Sequence, residues 1–406
     1  MRLRLLPFVA VFFAGVAFAQ GPVPPLTRER VEALLLLSPA AQVVHATVNE
    51  TAAARPGQAV WQQNPELQVY GGPRKSPALG TQTDLGVALM VPLDVTGARG
   101  RRMALADART TLARALAAEA LWRLRFEALD VWLQVQGAVA RADVAKQRYD
   151  LDEKVLQSIE TRFGAGVIGE ADVALARAVK SEALGRVRLA QAERDRLAFL
   201  LLGRLGVPTE TFAFDGVMPL ADAPPLPNLL ASLAQRPDRV RQQWEQAAYA
   251  ADQRLQDRMA YPVPRVQGEY AKEADERLAR FNLTLPLPLF ARNQSARAVA
   301  EARVVTSALQ QKALEAQAQS EVRSAYARWQ SSLAAYQQMN ASQADLQLAM
   351  TLSTRGYELG QISLGQLLIA RREVTNVRES VVQAQLEAAR ARLALEQATF
   401  VQRQEP

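Results

Sequence analysis

The sequence predicts a mainly α-helical chain that carries a small β portion and is built twice on one plan. The composition is typical of long helices, because 49% of the residues are hydrophobic, 22% are charged and only 6% are aromatic. No proline occurs between Ala98 and Arg162. Two separate blocks of sequence recur at one offset of 194 residues, as between Gly166 and Gly360.

Residues 1–19 have the pattern of a cleaved secretory signal. Arg2 and Arg4 supply the basic start, an apolar run follows them, and Ala17-Phe18-Ala19 is a small-x-small cleavage site. An uncleaved membrane anchor is the alternative, but the apolar run is shorter than the ~20 residues of a membrane span. Gln20 follows the cleavage site where a lipid-modified protein would have cysteine. We therefore expect an exported chain without a lipid anchor.

The composition excludes several classes of function. The chain has no cysteine, so it can have no disulfide, thiolate nucleophile or thiolate metal cluster. Its single histidine, His45, rules out a multi-histidine metal site and leaves no spare imidazole for a catalytic triad. The net charge of +7 falls to +5 without Arg2 and Arg4, and it is not gathered in a basic block of the kind that binds nucleic acid. We predict that the protein is not an enzyme and that it has no cofactor, no metal site and no nucleic-acid partner.

The two repeating blocks indicate an internal duplication. Val91–Arg109 aligns with Leu285–Arg303, and Phe163–Arg177 aligns with Tyr357–Arg371, both without gaps and at the same offset. A proline-rich stretch separates the copies. The predicted organisation is a signal peptide at 1–19, a first repeat at 20–205, a linker at 206–228 and a second repeat at 229–406.

In each repeat a helix is predicted to lead into two strands. The helices are expected at about 28–55 and 229–259, and the strands at 65–71, 83–93, 265–270 and 278–289, with turns at 72–80 and 271–277. Apolar residues alternate with polar ones through 83–93 and 278–289. Such alternation over ~9–11 residues is typical of outer-membrane strands. A soluble hairpin packed on a core fits the same pattern, so both interpretations stay open at this point.

The segment from Ala98 to Arg162 predicts a helix about 100 Å long, since each residue adds ~1.5 Å. Helices in globular domains average ~11 residues, so this length indicates a coiled coil or a tube. One apolar stripe comprises Leu121, Leu124, Ala128, Val131, Val135 and Ala142, and a second comprises Trp122, Phe126, Leu129 and Leu133. Polar strips run between them, one with Arg123, Glu127, Asp130 and Gln134 and the other with Arg125 and Gln136. Two apolar seams favour the wall of a hollow tube, with water on both polar strips, over a two-stranded coiled coil, which needs one seam.

The segment Gly164–Gly169 satisfies the G-x-G-x-x-G pattern of dinucleotide-binding proteins. That fingerprint requires a preceding strand, whereas here a long helix precedes it. The second repeat keeps only Gly360, the counterpart of Gly166. Both glycines are better explained as left-handed residues that end a helix and begin a tight turn between two helices.

Three acidic residues cluster in the long helix, at Asp150, Asp152 and Glu153. They could form a catalytic carboxylate pair or a calcium site, but no glycine-bearing metal loop follows them. The favoured interpretation is a solvated helix face. His45 lies beside two valines in the first helix and is predicted to be structural.

Several loose motifs share the order and spacing of one family. They are Asn64-Pro-Glu-Leu67, Pro92-Leu-x3-Gly97, Phe163-x2-Gly166 and Tyr357-x2-Gly360. With the duplicated plan, they make nearly the whole mature chain resemble TolC-type outer-membrane efflux proteins, and the first motif resembles the heavy-metal and cation branch. The resemblance implies a mainly α fold with a β-barrel portion. In it, a trimeric α-helical periplasmic tunnel is continuous with a 12-stranded outer-membrane β-barrel that takes four strands from each chain.

The implied function is a passive outer-membrane exit duct of a tripartite efflux pump or a type I secretion system. A homotrimer in outer-membrane lipid, with a large periplasmic portion, would work with a periplasmic adaptor and an inner-membrane pump. The alternative is a periplasmic coiled-coil adaptor or scaffold protein. An adaptor would have one helical hairpin between β-modules, whereas here the hairpin is duplicated and strands precede each copy.

The resemblance also implies where the functional residues lie. The turns at 163–172 and 357–366 would form the closed inner end of the tunnel, where the adaptor docks. The docking and turn residues implied are Phe163, Gly166, Arg177, Tyr357, Gly360 and Arg371. Acidic residues would line the constriction, and Glu170 and Asp172 match that pattern in the first repeat. The second repeat has Gln366 at the matching position, which departs from the family pattern.

Overall fold

The protein is a helical body joined at one end to a single four-stranded sheet. The structure, a computed structural model, describes residues 23–61, 63–77, 80–273 and 276–400, so the predicted signal peptide at 1–19 lies outside the described residues. The helices are α1 (Arg28–Leu37), α2 (Pro39–Ala53), α3 (Arg55–Gln58), α4 (Ala98–Gly164), α5 (Glu170–Leu205), α6 (Leu226–Ala231), α7 (Pro237–Arg258), α8 (Gln294–Ala341), α9 (Gln343–Glu358) and α10 (Leu364–Thr399). The strands are β1 (Glu66–Ser76), β2 (Gly80–Pro92), β3 (Arg265–Glu273) and β4 (Glu276–Thr284).

None of the described helices is, by itself, long and apolar enough to cross a membrane. The pair Arg28–Leu37 and Pro39–Gln58 meets that criterion jointly, by length and composition only, across a bend of 46°.

The four strands form one antiparallel sheet in the order β1-β2-β3-β4. The strands extend further than predicted, because β1 runs on to Ser76 through Gly72 and Pro73, which were predicted to lie in a turn. Within the chain, β1 is an edge strand, where a proline without an N–H is tolerated. The second hairpin is also longer than predicted, since β3 continues to Glu273 and β4 begins at Glu276.

The prediction that the fourth strand reaches residue 289 is wrong. β4 ends at Thr284, and residues 285–288 lie outside regular structure. Pro286 and Pro288 fall in this segment, and each lacks the N–H that a continuing ladder would need. β2 ends in the same way at Pro92.

The long helix is confirmed as the single element α4, from Ala98 to Gly164. Both predicted apolar seams are buried in its middle, with Leu129 and Val135 among the most enclosed side chains of the core. The second polar strip does not face water as predicted. Gln136 is buried and accepts a hydrogen bond of 2.8 Å from the N–H of Gly216, while Arg125 pairs with Glu32 of α1 at 2.9 Å.

The helices that precede the sheet are interrupted where the sequence analysis expected continuous ones. Ser38 caps the start of α2 by accepting a hydrogen bond from the N–H of Ala41, and Pro39 occupies the first position of that helix. Before α7, a short 3₁₀ helix at Ser232–Gln235 ends at Arg236, and Pro237 begins α7. In both cases proline starts a new helix because it lacks the N–H needed inside one.

The segment between the repeats packs against the helical body. Phe212 and Met218 are buried in the cluster that α1, α4, α5 and α10 form around Leu129. A parallel bridge joins Pro25 to Ala213, so the start of the described chain and this segment run side by side.

The two helical hairpins differ in their first arm. In the first hairpin α4 is continuous, and it packs along α5. In the second, Ser342 separates α8 from α9, which together pack against α10. Contacts between α4 and α10 join the hairpins into one body.

Candidate functional site

One face of the sheet is apolar across all four strands. Residues directly opposite in an antiparallel sheet share a face, so the register defines this set. The rows are Val69, Val87, Tyr270 and Ala279; Leu67, Leu89, Gly268 and Phe281; and Val91, Val266 and Leu283. Most of these side chains are exposed in the single chain, Val69 by 72% and Phe281 by 75%. The predicted alternation is therefore confirmed, and the apolar side does not pack on a core formed by the described residues.

The opposite face of the sheet is polar and carries a network of ion pairs. Arg74 contacts Asp84 at 3.0 Å and Glu273 at 2.8 Å. Arg280 contacts Glu273 at 2.8 Å and Glu269 at 3.4 Å. Tyr70 donates a hydrogen bond to Glu269, so the network crosses from β1 to β4. An apolar face backed by a charged one is the pattern of a strand between lipid and water.

Both helical hairpins turn through the same hydrogen-bonded motif. Gly166 and Gly360 each have a φ of 73°, as the sequence analysis predicted. After α4, Gly166 N–H donates to the carbonyl of Phe163 and Val167 N–H to that of Arg162, at 2.9 and 3.0 Å. After α9, the N–H groups of Gly360 and Gln361 donate to Tyr357 and Gly356 in the same way, at 3.1 and 2.8 Å. These are Schellman motifs, which satisfy the last carbonyls of a helix.

The predicted constriction residues occupy the first turns of α5 and α10. Glu170 is exposed, Asp172 is half-buried, and neither forms an ion pair with a described residue. Their charges are favourable at a helix N-terminus, which carries a partial positive charge. Gln366 caps its helix instead. Its side chain accepts a hydrogen bond from the Ser363 N–H at 2.9 Å and completes a capping box at the start of α10.

The predicted turn residues differ in how far they are buried. Tyr357 packs against the apolar cluster around Ile159 and lies under the guanidinium of Arg162, 5.1 Å from its ring centre. Phe163, expected to pack the turn as well, is 44% exposed in the single chain. Arg177 is exposed and pairs with Glu160 of α4 at 2.9 Å, which ties the two arms of the first hairpin together.

Arg371 is the counterpart of Arg177 in sequence but lies buried between the two hairpins. It donates to the carbonyl of Leu151 at 2.9 Å, and its guanidinium is 3.9 Å from the carboxylate of Asp152. Arg148 lies 3.5 Å from the same carboxylate and 2.9 Å from Glu182 of α5. Asp152 is only 4% exposed, so the prediction that it lies on a solvated face is wrong. Three closely spaced carboxylates look like a surface pattern, and the tertiary packing of α10 buries this one.

This buried cluster is incompletely hydrogen-bonded. Arg148 Nη1, Asp152 Oδ2 and Arg371 Nε are buried without a hydrogen-bond partner. Burial raises the pKa of Asp152, against the opposing effect of Arg148 and Arg371. Burial also lowers the pKa of Arg371, which the charge of Asp152 partly offsets.

Among the described residues, no group of three or more histidine, aspartate or glutamate side chains could hold a metal ion. His45 is exposed on α2, so it does not lie in the core of the described chain. The described chain therefore combines a sheet that has one apolar and one charged face with two long helical hairpins that end in similar turns.

Comparison with known proteins agrees with this geometry. Residues 220–399 match the family model described as outer membrane efflux protein. The structure of CusC, in a study of transmembrane channel formation, aligns with a TM-score of 0.77 at 17% identity over 95% of both chains. The outer membrane protein VceC from Vibrio cholerae aligns at 0.74 and 16% identity, over 92% of this chain and 95% of that one. The open MtrE outer membrane channel from Neisseria gonorrhoeae aligns at 0.72 and 17% identity, over 92% and 88%.

No curated protein sequence matches the chain. The solved structures are too distant in sequence to show more than the fold, which they share over nearly the whole chain. The family match lies in the second half and includes the turn at Gly360. The second half of the chain is therefore similar to the outer membrane efflux protein family, and the fold of the whole agrees with that of solved outer-membrane channels.

Proposed function

We propose that the protein is a passive outer-membrane exit duct, formed by three copies of this chain, for an efflux pump or a type I secretion system. The sheet is the observation that carries this proposal. One face is apolar and exposed, and the outer edges of β1 and β4 have no partner strand among the described residues. Open edges are not tolerated in lipid, and the smallest membrane barrels have ~8 strands. Four strands cannot close, whereas three chains supply twelve.

The helices support the same assembly. Leu189 and Phe199 on α5 and Val305 and Leu309 on α8 are large apolar side chains that are more than half exposed in the single chain. Exposed apolar surface of this kind marks protein contacts. In a trimer these faces would pack against neighbouring chains and complete a tunnel wall, with the turns at Gly166 and Gly360 at the end away from the sheet. We propose that the adaptor of an inner-membrane pump docks there.

The test is the assembly and conductance of the purified protein. We expect a trimer in detergent that inserts into planar lipid bilayers and conducts ions without an energy source. A periplasmic scaffold or adaptor would instead be recovered in the soluble periplasmic fraction without detergent. A stable monomer in plain buffer, or a trimer that never conducts, would contradict the proposal.

We further propose that Glu170 and Asp172 line the narrow end of the tunnel and favour cations. The double variant Glu170→Gln with Asp172→Asn removes two carboxylates from each chain without changing side-chain size. Bilayer recordings should show a loss of cation preference, since a ring of carboxylates attracts cations. Glu210→Gln, an exposed carboxylate between the repeats, is the control and should leave selectivity unchanged. Unchanged ion selectivity in the double variant would contradict the proposal that Glu170 and Asp172 line the narrow end.

A further inference from the structure

Three basic residues lie on the apolar face toward its hairpin end, and we call them the basic rim: Lys75 of β1, Lys272 of β3 and Arg277 of β4. Lys272 and Arg277 are direct partners across β3 and β4, and Lys272 is opposite Leu85 in β2. Leu85 shares its face with Val87 and Leu89, so Lys272 and Arg277 project from the apolar face. Lys75, opposite Thr81, has the same parity in the β1–β2 ladder.

Charge is divided unequally between the two faces of the sheet. The described residues of the apolar face carry these three cations and no carboxylate. On the polar face cations and carboxylates alternate, and Arg74 and Arg280 are both neutralised by Glu273. All three rim side chains are exposed, and none forms an ion pair with a described residue. The rim therefore has a positive charge that nothing described in the chain balances.

The basic rim lies at one end of the strands, opposite the end that joins the helices. The helices join the sheet at the other end, through the segments before β1 and β3 and after β2 and β4. The basic rim lies toward the two hairpin turns, above the apolar rows of Val87 and Leu89. On the proposed function, on which this inference rests, the helices are periplasmic and the hairpin turns face outward. The rim would then meet the headgroups of the outer leaflet.

We infer that the basic rim binds the phosphate groups of outer-leaflet lipids. Lysine and arginine near an anionic lipid surface each strengthen binding about five-fold, and guanidinium groups match phosphate oxygens in a bidentate way. The long aliphatic stems of lysine and arginine cover the acyl-chain boundary while the charges reach the headgroup level. With three chains around one barrel, nine cations would encircle the end of the barrel that carries the hairpin turns.

The test compares neutral and charged rims in the full-length protein in neutral detergent, titrated with lipid A. The rim variant is Lys75→Gln, Lys272→Gln and Arg277→Gln together. Its matched control removes three exposed helical cations that form no ion pair with a described residue, Arg114→Gln, Lys312→Gln and Arg323→Gln. We expect the rim variant to lose at least ten-fold in affinity for lipid A and the control to change less than two-fold. A charge-keeping variant, Lys75→Arg with Lys272→Arg and Arg277→Lys, should bind like the wild type.

Two further titrations identify the ligand chemistry. Dephosphorylated lipid A should bind the wild type as weakly as lipid A binds the rim variant, and added salt should weaken only the phosphorylated probe. Inorganic phosphate should compete poorly, because it lacks the acyl chains that the apolar rows contact. Equal binding of lipid A by the wild type and the rim variant, equal loss in the control, or efficient displacement by inorganic phosphate would each overturn the inference.

The same samples separate this inference from the proposed function. The rim variant should still form a detergent-stable trimer that conducts in bilayers. If it conducts normally and binds lipid A normally, the rim inference fails and the duct stands. If the wild type neither assembles nor conducts, the proposed function fails first, and the rim inference fails with it.

Discussion

Two glycines determine how the helical hairpins turn. Gly166 and Gly360 are left-handed at the C-terminal ends of α4 and α9, and a Cβ at either would meet no neighbour within 4 Å. Backbone conformation, not crowding, is therefore what requires glycine at these positions. A non-glycine residue in this conformation costs roughly 1–2 kcal/mol.

Gly166→Ala and Gly360→Ala should each lower the free energy of unfolding by about 1 kcal/mol. Gly164→Ala is the matched control, since Gly164 is the last residue of α4, has no positive φ and also has open space around its Cα. There alanine should be neutral or stabilising by up to about 1 kcal/mol, because it favours the helix. Denaturant titration followed by helical circular dichroism measures all three, and equal effects at positions 164 and 166 would contradict the conformational argument.

Asp152 gives the protein a pH dependence of a definite sign. Its pKa is raised in the folded state by burial, so the folded protein holds this proton more tightly than the unfolded chain. Stability from this group is fully present below the ordinary aspartate value of about 3.9 and is lost as pH rises through the raised pKa. We expect Asp152→Asn to remove this decline in the free energy of unfolding between those two values.

The control for that measurement is Asp143→Asn, an exposed carboxylate on the same helix. It should leave the pH profile of stability unchanged. The profile is measured as unfolding free energy against pH in detergent. If the Asp152 variant keeps the wild-type slope, burial by α10 does not control the ionisation of this carboxylate.

At the level of the elements, the sheet contains a close fit between a tyrosine of β1 and a glycine of β2. Tyr70 and Gly86 are direct partners, and a Cβ at Gly86 would lie 2.4 Å from the Tyr70 ring. The ring covers the glycine, an arrangement known to stabilise strands that contain glycine. It also brings the Tyr70 hydroxyl to Glu269 two strands away.

Gly86→Val should destabilise the sheet by roughly 1–3 kcal/mol, since the ring must leave its place and its hydrogen bond. Gly268→Val is the matched control in the next strand, where a Cβ meets nothing within 4 Å and would project from the apolar face. The yield of heat-resistant oligomer on a gel without boiling reports the effect. Equal yields from the two variants would show that Tyr70 does not hold the strands together.

The elements also show what the sequence could predict. Periodicity identified α4 and the two faces of the sheet, because a 3.6-residue or two-residue repeat reflects burial directly. The stretch that begins with Gly72 and Pro73 was misread as a turn, since nothing local shows that β1 lies at an edge of the described sheet. Asp152 and Gln136 were misplaced on water-facing sides for a related reason. Their burial comes from α10 and from the segment around Gly216, which are distant in sequence.

For the molecule as a whole, the decisive question is which face of the sheet meets lipid. Val69 and Gln68 are neighbours in β1 with opposite directions, Val69 on the apolar face and Gln68 on the polar one, and both are exposed in the single chain. In a soluble protein an arginine at either position would be tolerated about equally. In a membrane barrel only one of the two would be acceptable.

Val69→Arg should sharply reduce insertion into the outer membrane, because an arginine on a lipid face near the midplane costs about 2–4 kcal/mol in each chain. Gln68→Arg should insert normally, since its side chain faces the polar interior. Membrane fractionation and bilayer conductance provide the measurements. Normal insertion of the Val69 variant would mean that the apolar face does not contact lipid.

The interruption of the second hairpin at Ser342 has a mechanical consequence for the proposed trimer. At the same offset of 194 residues, the position matching Ser342 is Arg148, where α4 is unbroken and is paired with Glu182 of α5. In a trimer, three continuous first arms would therefore alternate with three interrupted ones, so six similar hairpins would have only three-fold symmetry. We expect any widening of the inner end to begin at the three interrupted arms.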